Sequence, residues 1–354
     1  MNKNMKKVGI ITIISNNLGN RLQNYALQEI LSKLGMECST IPMKSGYGHI
    51  PKSKLHIKSF LSFLFIKYNN VTWDKFNQNI IWESKNVNDL STEEINKFDY
   101  FIAGSDQIWN PLFKFNSSRE FLVFAKSSQK VAYSASIGLE ELPNNVEEKY
   151  AKYLHDFKAI SVREDAAAQI IQQILGINCP VLIDPTMLIN TDKWISISKK
   201  PKINIKEKFA VMYVLGIEKE GLKAYITEDS KRRNIKVIDI VEYNMQNNYA
   251  IGPSEFIYLI SHCDYIYTDS FHGTIFSILF HKDFLVFERP EEKGYGKMSS
   301  RIDTLLNKFE LNERKLIPAK QLKFIISSIK YSNVDILLEV ERKKAINYLQ
   351  NALK

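Results

Sequence analysis

The sequence predicts an α/β protein with two Rossmann-like domains, and three observations support this. Strand-like apolar segments alternate with helix-like ones, which is typical of parallel sheets covered by helices. The length of 354 residues exceeds one ordinary domain. Asp184-Pro185 interrupts the alternation near mid-chain. We therefore expect an N-terminal domain over 1–188, a C-terminal domain over 189–330, and a helix over 331–354 that packs over their junction.

The first half of the chain alternates strands and helices in a regular order. Predicted strands fall at 8–14, 38–43, 99–103, 131–135, 159–162 and 181–183. Predicted helices fall at 20–34, 54–67, 145–157 and 164–175. Ser91 followed by Glu94 has the spacing of a capping box, which predicts the start of a further short helix.

The second half repeats the same alternation. Predicted strands fall at 209–215, 235–241, 265–268 and 284–287, with helices at 219–232, 254–262 and 271–281. A long helical pattern covers 334–353. Two sets of alternating elements thus favour one parallel sheet per domain.

Composition predicts a folded protein of a reducing compartment. Hydrophobic content of 45% and charged content of 25% are ordinary for folded soluble domains. The three cysteines form no CxxC pair, which argues against a zinc knuckle or a dithiol redox site. The apolar runs at 8–14 and 60–66 are too short for a signal peptide or a membrane span. We expect a cytoplasmic protein.

Positive charge is concentrated in residues 1–68. This segment has ten Lys and Arg residues and two acidic ones, so its balance of 10 − 2 = +8 provides most of the net charge of +9. Such a balance favours an anionic partner, such as an acidic glycan, a lipid-diphosphate carrier or a membrane surface, although a solvated lysine-rich face is equally compatible. The aromatic residues of a base-stacking groove are sparse there, so no nucleic acid is expected.

Several nucleotide and metal motifs are absent from the sequence. No GxGxxG fingerprint is completed, Leu222 stands where a P-loop requires Lys, and neither DxD nor HExxH occurs. We therefore expect a reaction without a metal or another cofactor.

The segment Asp269-Ser270-Phe271-His272-Gly273-Thr274 follows a predicted strand directly and opens an apolar helix. His272 would then lie in the first helical turn, where backbone N–H groups without helical partners favour an anion. Ligands of open α/β sheets also bind at the carboxyl ends of strands. The alternative is that Asp269 or Ser270 only caps the helix while His272 packs.

Three other segments place polar residues after predicted strands. Arg163 follows 159–162 and can present its guanidinium to a phosphate or carboxylate, or pair with a neighbouring acid. Within Gly104–Pro111, Asp106 and Gln107 suit sugar hydroxyls and Trp109 suits sugar stacking, unless that loop is only pinned by a buried Trp. Turn and cap roles account for most of the Asn and Gly residues near Asn20.

Taken in order, these segments resemble the polysaccharide pyruvyl transferase family. The resemblance rests on seven motifs: Gly19-Asn20 with Leu22–Gln28, Gly104–Pro111, Tyr133–Gly138, Ser161–Glu164, Asp184-Pro185-Thr186, Ser270–Thr274 and Arg301-Ile302. It implies a fold similar to the GT-B glycosyltransferases, with phosphoenolpyruvate bound in the cleft between two domains. It also implies transfer of the enolpyruvyl group to a sugar of a cell-surface polysaccharide or its precursor, forming a pyruvate ketal.

The resemblance also implies roles for individual residues. His272 and Arg163 should face the donor. Some family members carry an Arg where this chain has Ser270, and Arg301 is our candidate to replace that charge. The candidate catalytic residues are His272, Arg163 and Asp106. The candidate substrate-binding residues are Ser270, Gly273, Thr274, Arg301, Ser105, Gln107, Trp109 and Asn20.

The expected partners are phosphoenolpyruvate and a lipid-linked saccharide, with peripheral contact to an anionic membrane through residues 1–68. Two alternatives remain open at this point. A GT-B-type glycosyltransferase, similar to sialyltransferases, is compatible with the same fold because fold does not fix chemistry. A non-catalytic anion-binding protein of a polysaccharide-assembly complex would bind phosphoenolpyruvate without turnover.

Overall fold

The computed structural model describes residues 5–15, 17–43, 72–113, 116–205, 207–216, 221–246, 251–288, 300–316 and 327–354. These residues divide into two compact units. The described residues of Met1–Lys54, Gln78–Ile189 and Glu339–Lys354 form the first unit. Those of Leu55–Asn77 and Asn190–Leu338 form the second. Each unit contains one parallel five-stranded sheet, which confirms the predicted α/β class.

The sheet of the first unit has the strand order β2-β1-β3-β4-β5, with every pair parallel. Its strands are β1 Lys7–Ile11, β2 Glu37–Thr40, β3 Tyr100–Ala103, β4 Lys130–Ala135 and β5 Ala159–Val162. Its helices are α1 Leu18–Lys33, α2 Thr92–Ile95, α3 Asn144–Leu154 and α4 Asp165–Leu175. β3 and β4 are buried along their whole lengths, as expected for central strands covered on both faces.

Local chemistry explains where the helices of this unit begin and end. The Asn17 side chain accepts from the N–H of Gly19 and caps α1. Ser91 and Glu94 form the predicted capping box at α2, which confirms that interpretation. α4 ends at Gly176, whose φ of 70° lies in the left-handed region that glycine adopts readily.

The sheet of the second unit has the order β10-β9-β8-β6-β7, again all parallel. Its strands are β6 Phe209–Tyr213, β7 Lys236–Asp239, β8 Tyr265–Thr268, β9 Asp283–Phe287 and β10 Lys315–Leu316. The helices that follow α4 are α5 Thr191–Ser196, α6 Leu222–Arg233, α7 Ile240–Gln246, α8 Pro253–His262, α9 Phe271–Leu279, α10 Ser300–Lys308 and α11 Tyr331–Ala352.

Two predicted strands differ from the structure. The segment at 181–183 forms only an isolated bridge between Val181 and Val162, because Pro180 lacks an N–H and a 3₁₀ turn begins at Pro185. The strand predicted over 235–241 ends at Asp239, whose carboxylate accepts from the N–H groups of Val241 and Glu242 and so starts α7. The predicted helix at 54–67 lies outside the described residues.

The last helix, α11, is anchored to the first unit through its carboxyl-terminal part. The Tyr348 hydroxyl donates to the carbonyl of Ala132, and Arg342 Nε donates to that of Met187. Lys6 and Lys158 donate to carbonyls at the end of the helix, where positive charge is favoured by the helix dipole. In the described part of the chain, no helix combines the length and apolar character that a membrane crossing requires.

An ion pair between a buried lysine and a partly exposed aspartate lies at the amino-terminal end of β4. Lys130 is buried, and its Nζ lies 2.7 Å from Oδ2 of Asp156, whose side chain is 37% exposed. Burial raises the pKa of Asp156, but hydrogen bonds from Lys130 and Ser127 outweigh burial and lower that pKa below its ordinary value. A carboxylate with a lowered pKa stabilises the fold above its unfolded-state pKa, and this contribution disappears as pH falls through the folded-state value.

We expect Asp156→Asn to lower the free energy of unfolding near neutral pH by about 1–2 kcal/mol, because Lys130 would stay buried without its carboxylate. Urea unfolding measures this change. The difference from wild type should shrink as pH falls below about 4. Adding Lys130→Met should recover much of the loss, since it removes the buried charge. A double variant as unstable as the single one would contradict this account.

Candidate functional site

The polar residues predicted in the first unit meet at one edge of its sheet. β1, β3, β4 and β5 run parallel, so the residues that follow them emerge together at the carboxyl edge. Gly104–Asp106 follow β3, and Arg163 follows β5. A Cβ on Gly104, whose φ is +115°, would lie 2.5 Å from the carbonyl oxygen of Tyr133, so only glycine fits at this crowded edge.

Arg163 bridges two carboxylates at this edge. Its Nη2 lies 3.2 Å from Oδ1 of Asp106, and its Nη1 lies 2.9 Å from Oδ2 of Asp184. The exposed fractions of the three side chains are 1% for Arg163, 10% for Asp106 and 0% for Asp184. Burial lowers the pKa of the Arg163 guanidinium, but Asp106 and Asp184 outweigh burial and raise that pKa above its ordinary value. Arg163 is therefore charged.

This geometry pairs Arg163 with two carboxylates that lie far from it in the sequence. We expected its guanidinium to bind an anion of the donor or to pair with a neighbouring acid. Both of its amino groups face carboxylates, and its contact with the donor stays a prediction. The guanidinium also occupies the place between Asp106 and Asp184 that a bridging cation would need. In the described ranges of the chain, no three His, Cys, Asp or Glu side chains come together as metal ligands would.

Helix α1 holds Ser105 and Asp106 in place. The Gln23 amide oxygen accepts from the N–H of Ser105 at 3.1 Å, and Thr12 Oγ1 donates to the Ser105 carbonyl at 3.1 Å. Nδ2 of Asn20 hydrogen bonds to Oδ2 of Asp106. Asp106 itself has a φ of 72°, a conformation that non-glycine residues rarely adopt without surrounding support. The α1 motif therefore does more than form turns and caps, since it orients the Asp106 carboxylate.

Asp184 is the member of this cluster that sequence reasoning missed. Asp184-Pro185 was interpreted as a domain boundary. The structure buries this carboxylate, which accepts from Ser105 Oγ at 2.6 Å and from both the N–H and the hydroxyl of Thr186. The available signal was an acidic residue directly after the strand-like segment 181–183, which is the same kind of position that Arg163 occupies after β5.

Trp109 does not have the predicted sugar-stacking role. Its side chain is fully buried, its ring stacks on Phe121 with centroids 5.8 Å apart, and its Nε1 donates to the carbonyl of Glu120 at 3.0 Å. A ring without exposed surface cannot stack on a sugar. Gln107 is also buried, and its side-chain amide occupies the space in which a Cβ of Gly138 would lie. Both side chains therefore pack in the interior and stabilise the conformation of the loop.

In the second unit, β8 runs directly into α9, as predicted. Oγ of Ser270 accepts from the N–H of Gly273 and caps the helix. Gly273 is required by close packing, because a Cβ there would lie 2.3 Å from Oγ1 of Thr268. Thr274 Oγ1 donates to the Ser270 carbonyl at 3.0 Å. Ser270, Gly273 and Thr274 thus define the first turn of α9.

Asp269 fixes this junction to a second strand. One of its carboxylate oxygens accepts from the N–H of Leu215 and the other from that of Gly216, both at 2.7 Å. Leu215 and Gly216 follow β6, which neighbours β8 in the sheet. The start of α9 is therefore held by the carboxyl ends of two strands, as expected for a ligand-binding edge.

His272 and Arg301 both lie beside Phe271 at the start of α9. The rings of Phe271 and His272 contact each other edge to face, with centroids 5.4 Å apart. The Arg301 guanidinium carbon lies 5.8 Å from the centre of the Phe271 ring. Arg301 is the second residue of α10 and follows His272 by 29 positions. The side chains of His272 and Arg301 are both largely buried. The structure thus brings a basic residue to the helix start where Ser270 offers none.

The structure separates the predicted site residues into two groups. The first group, in the first unit, contains Asn20, Ser105, Asp106 and Arg163, with Asp184 added. The second group, in the second unit, contains Ser270, His272, Gly273, Thr274 and Arg301. Gln107 and Trp109 belong to neither group.

Comparisons with known proteins give one strong match. The model of the family described as "Polysaccharide pyruvyl transferase" matches residues 17–290. No curated protein sequence matches the chain significantly.

The structural likenesses are distant. UDP-GlcNAc 2-epimerase of Methanocaldococcus jannaschii, solved with UDP-GlcNAc and UDP, shares 14% identity at a TM-score of 0.47, covering 94% of this chain and 99% of that one. The UDP-GlcNAc 2-epimerase of Neisseria meningitidis, solved with UDP-GlcNAc, shares 11% identity at a TM-score of 0.48, covering 98% of this chain and 100% of that one.

We expect Trp109→Phe to lower the free energy of unfolding by about 1–3 kcal/mol, because it removes a buried hydrogen bond and leaves space beside Phe121. Chemical denaturation measures the loss. Trp82→Phe is the matched control, since Trp82 is only partly buried and lies under the Arg21 guanidinium, and its effect should be smaller. A Trp109→Phe protein of unchanged stability with weakened saccharide binding would restore the stacking role.

Proposed function

The chain belongs to the polysaccharide pyruvyl transferase family, and on that premise we propose that it moves the enolpyruvyl group of phosphoenolpyruvate onto a saccharide, where it forms a pyruvate ketal. The observation that carries this proposal is the family match over residues 17–290, which includes every residue of both site groups except Arg301. The geometry of each group supports a distinct part of the reaction.

The start of α9 suits the anionic donor. Phosphoenolpyruvate carries a phosphate and a carboxylate, so its site needs positive charge and N–H donors. The first turn of a helix supplies N–H groups and the positive end of the helix dipole. Arg301, beside Phe271, supplies a guanidinium that can bind two oxygens of a phosphate or carboxylate. We assign the donor anion to this end of α9, with Ser270, Gly273 and Thr274 shaping its backbone.

His272 is our candidate for the general acid. Ketal formation begins when the vinyl carbon of the donor takes a proton, which leaves an oxocarbenium-like centre at the neighbouring carbon. A sugar hydroxyl attacks that centre, phosphate leaves with its electron pair, and a second hydroxyl closes the ring. Imidazole titrates near neutral pH and suits the first proton transfer.

We assign the proton acceptor of the reaction to the first unit. Each attacking hydroxyl must lose a proton, and a carboxylate can accept it. Among the side chains of Arg163, Asp106 and Asp184, that of Asp106 is the most exposed. Carboxylates and amides also hydrogen bond sugar hydroxyls, and Asn20 lies directly against Asp106. We therefore assign the saccharide to Asp106 and Asn20.

We expect phosphoenolpyruvate to release one inorganic phosphate per ketal when the protein is given a lipid-linked saccharide with two adjacent free hydroxyls. Phosphate detection and mass spectrometry of the product measure this, and the product should gain the mass of pyruvate less one water. Chelator should leave the rate unchanged, since binding and proton transfer are assigned to side chains and helix N–H groups. An acceptor without a second free hydroxyl is the control.

Two other outcomes would contradict this proposal. Sugar transfer from a nucleotide sugar, with phosphoenolpyruvate inert across the acceptors, would indicate a glycosyltransferase. Binding of phosphoenolpyruvate without phosphate release would indicate a non-catalytic protein. Inhibition by chelator that magnesium reverses would contradict only the metal-independent mechanism.

We expect His272→Ala to reduce kcat by about 10²–10⁴-fold, the usual contribution of a general acid. Arg301→Ala should mainly weaken donor binding, by about 10–150-fold, the equivalent of one charge-assisted contact. Steady-state kinetics at saturating donor separates the two effects. His281→Ala is the matched control, because this exposed histidine follows the opposite end of α9 and pairs with Asp335. Wild-type turnover by His272→Ala would overturn its assignment.

A further inference from the structure

The carboxylate of Asp184 has all its hydrogen-bonding positions occupied by groups of the first unit. Oδ2 accepts from Ser105 Oγ at 2.6 Å and from Arg163 Nη1 at 2.9 Å. Oδ1 accepts from the N–H of Thr186 at 3.0 Å and from its hydroxyl at 2.7 Å. A carboxylate with a fully buried side chain and four donors has no position left for a substrate.

Asp184 reaches Asp106 by two connections. The first is electrostatic, because the Arg163 guanidinium contacts Asp184 with one amino group and Asp106 with the other. The second combines a hydrogen bond with the backbone, because Asp184 accepts from the hydroxyl of Ser105, the residue that precedes Asp106 in the chain. Both the charge around Asp106 and the direction of its carboxylate therefore depend on Asp184.

Burying one cation between two anions requires a reason beyond stability. Buried ion pairs contribute little net stability, because desolvation offsets much of the attraction. An Arg163–Asp106 pair alone would be neutral, and the guanidinium would strongly favour the ionised form of Asp106, making it a weak base. The second carboxylate, paired with the same guanidinium, opposes that effect.

We infer that Asp184 is a positioning residue which, acting through Arg163 and Ser105, orients Asp106 and adjusts its basicity so that Asp106 accepts the proton of the attacking saccharide hydroxyl. In this step the O–H bond of the sugar breaks as its oxygen bonds to the oxocarbenium-like carbon, the donor carbon that carries the carboxylate. The proton passes to the Asp106 carboxylate. The inference rests on the proposed function for the identity of that hydroxyl.

The charged groups around Asp106 come from two segments of the described chain. Arg163, with Glu164 next to it, follows β5, and Asp184 follows the bridge at Val181. Helix α1 contributes the neutral amide of Asn20. Glu164 raises the pKa of the Arg163 guanidinium, but its own carboxylate binds the segment after β4, where Oε1 accepts from the N–H groups of Ile137 and Gly138. Asp184 is thus the second carboxylate directly paired with Arg163.

The test is a titration of Asp106 that does not need activity. The full-length protein is labelled with ¹³C at the Asp carboxyl carbons, and Asp106→Asn identifies the Asp106 signal. Asp184→Asn keeps the shape and removes the second negative charge, so the midpoint of Asp106 should fall by about 1 pH unit. Asp184→Asn combined with Arg163→Gln removes the nearer positive charge as well, so the midpoint should rise above that of wild type.

Glu94→Gln is the matched control. It removes one negative charge from the same unit at α2, before β3 begins, whereas Asp106 follows the other end of β3. Glutamine also preserves the capping box with Ser91. The midpoint of Asp106 should not move in this variant. Circular dichroism melting shows whether each variant is folded, and the double variant provides the test if Asp184→Asn does not fold.

Kinetics then links the titration to the reaction. The acidic limb of kcat/KM for the saccharide should shift in the same two directions as the Asp106 midpoint. An Asp106 midpoint that stays at the wild-type value in both variants would overturn the inference, leaving Asp184 a purely structural role. Shifted midpoints with an unmoved acidic limb would overturn the proton-acceptor role alone. Shifted midpoints in the variants, together with a wild-type protein that transfers no pyruvyl group, would overturn the proposed function instead.

Discussion

The guanidinium of Arg163, buried between the carboxylates of Asp106 and Asp184, is the interaction on which the arrangement of the first unit depends. A charge in a protein interior must be matched by an opposite charge and by hydrogen bonds, or its desolvation destabilises the fold. Here the matching groups come from the loop after β3 and the segment after the bridge at Val181. Satisfying one buried cation therefore fixes the conformation of two loops at the same edge of the sheet.

The carboxyl edge of the first unit's sheet explains why many polar residues are buried there. Parallel strands end together, and each chain segment that leaves the sheet brings unpaired backbone groups with it. Thr12, Gln23 and Ser105 satisfy these groups with one another, so the Asp106 backbone is supported at its unusual φ. In the second unit Asp269 has a similar role, since it accepts from the backbone after β6 and directly precedes Ser270, the cap of α9.

The two units place different polar groups at the carboxyl edges of their sheets. The first unit gathers the carboxylates of Asp106 and Asp184 around Arg163. The second places Arg301 and His272 beside the start of a helix.

Sequence by itself determined the α/β class, the order of most strands and helices, and the place of His272 in the first turn of a helix. These features follow from periodicity, caps and turn residues, which act over a few positions. Tertiary structure decided that Arg163 faces carboxylates, that Trp109 is buried, and that Arg301 reaches the start of α9. Arg163 and Asp106 stand 57 positions apart, and their contact depends on which strands become neighbours in the sheet. Local sequence patterns carry no information on which strands become neighbours. That choice is stabilised by packing between distant segments, which exists only once the whole sheet has formed.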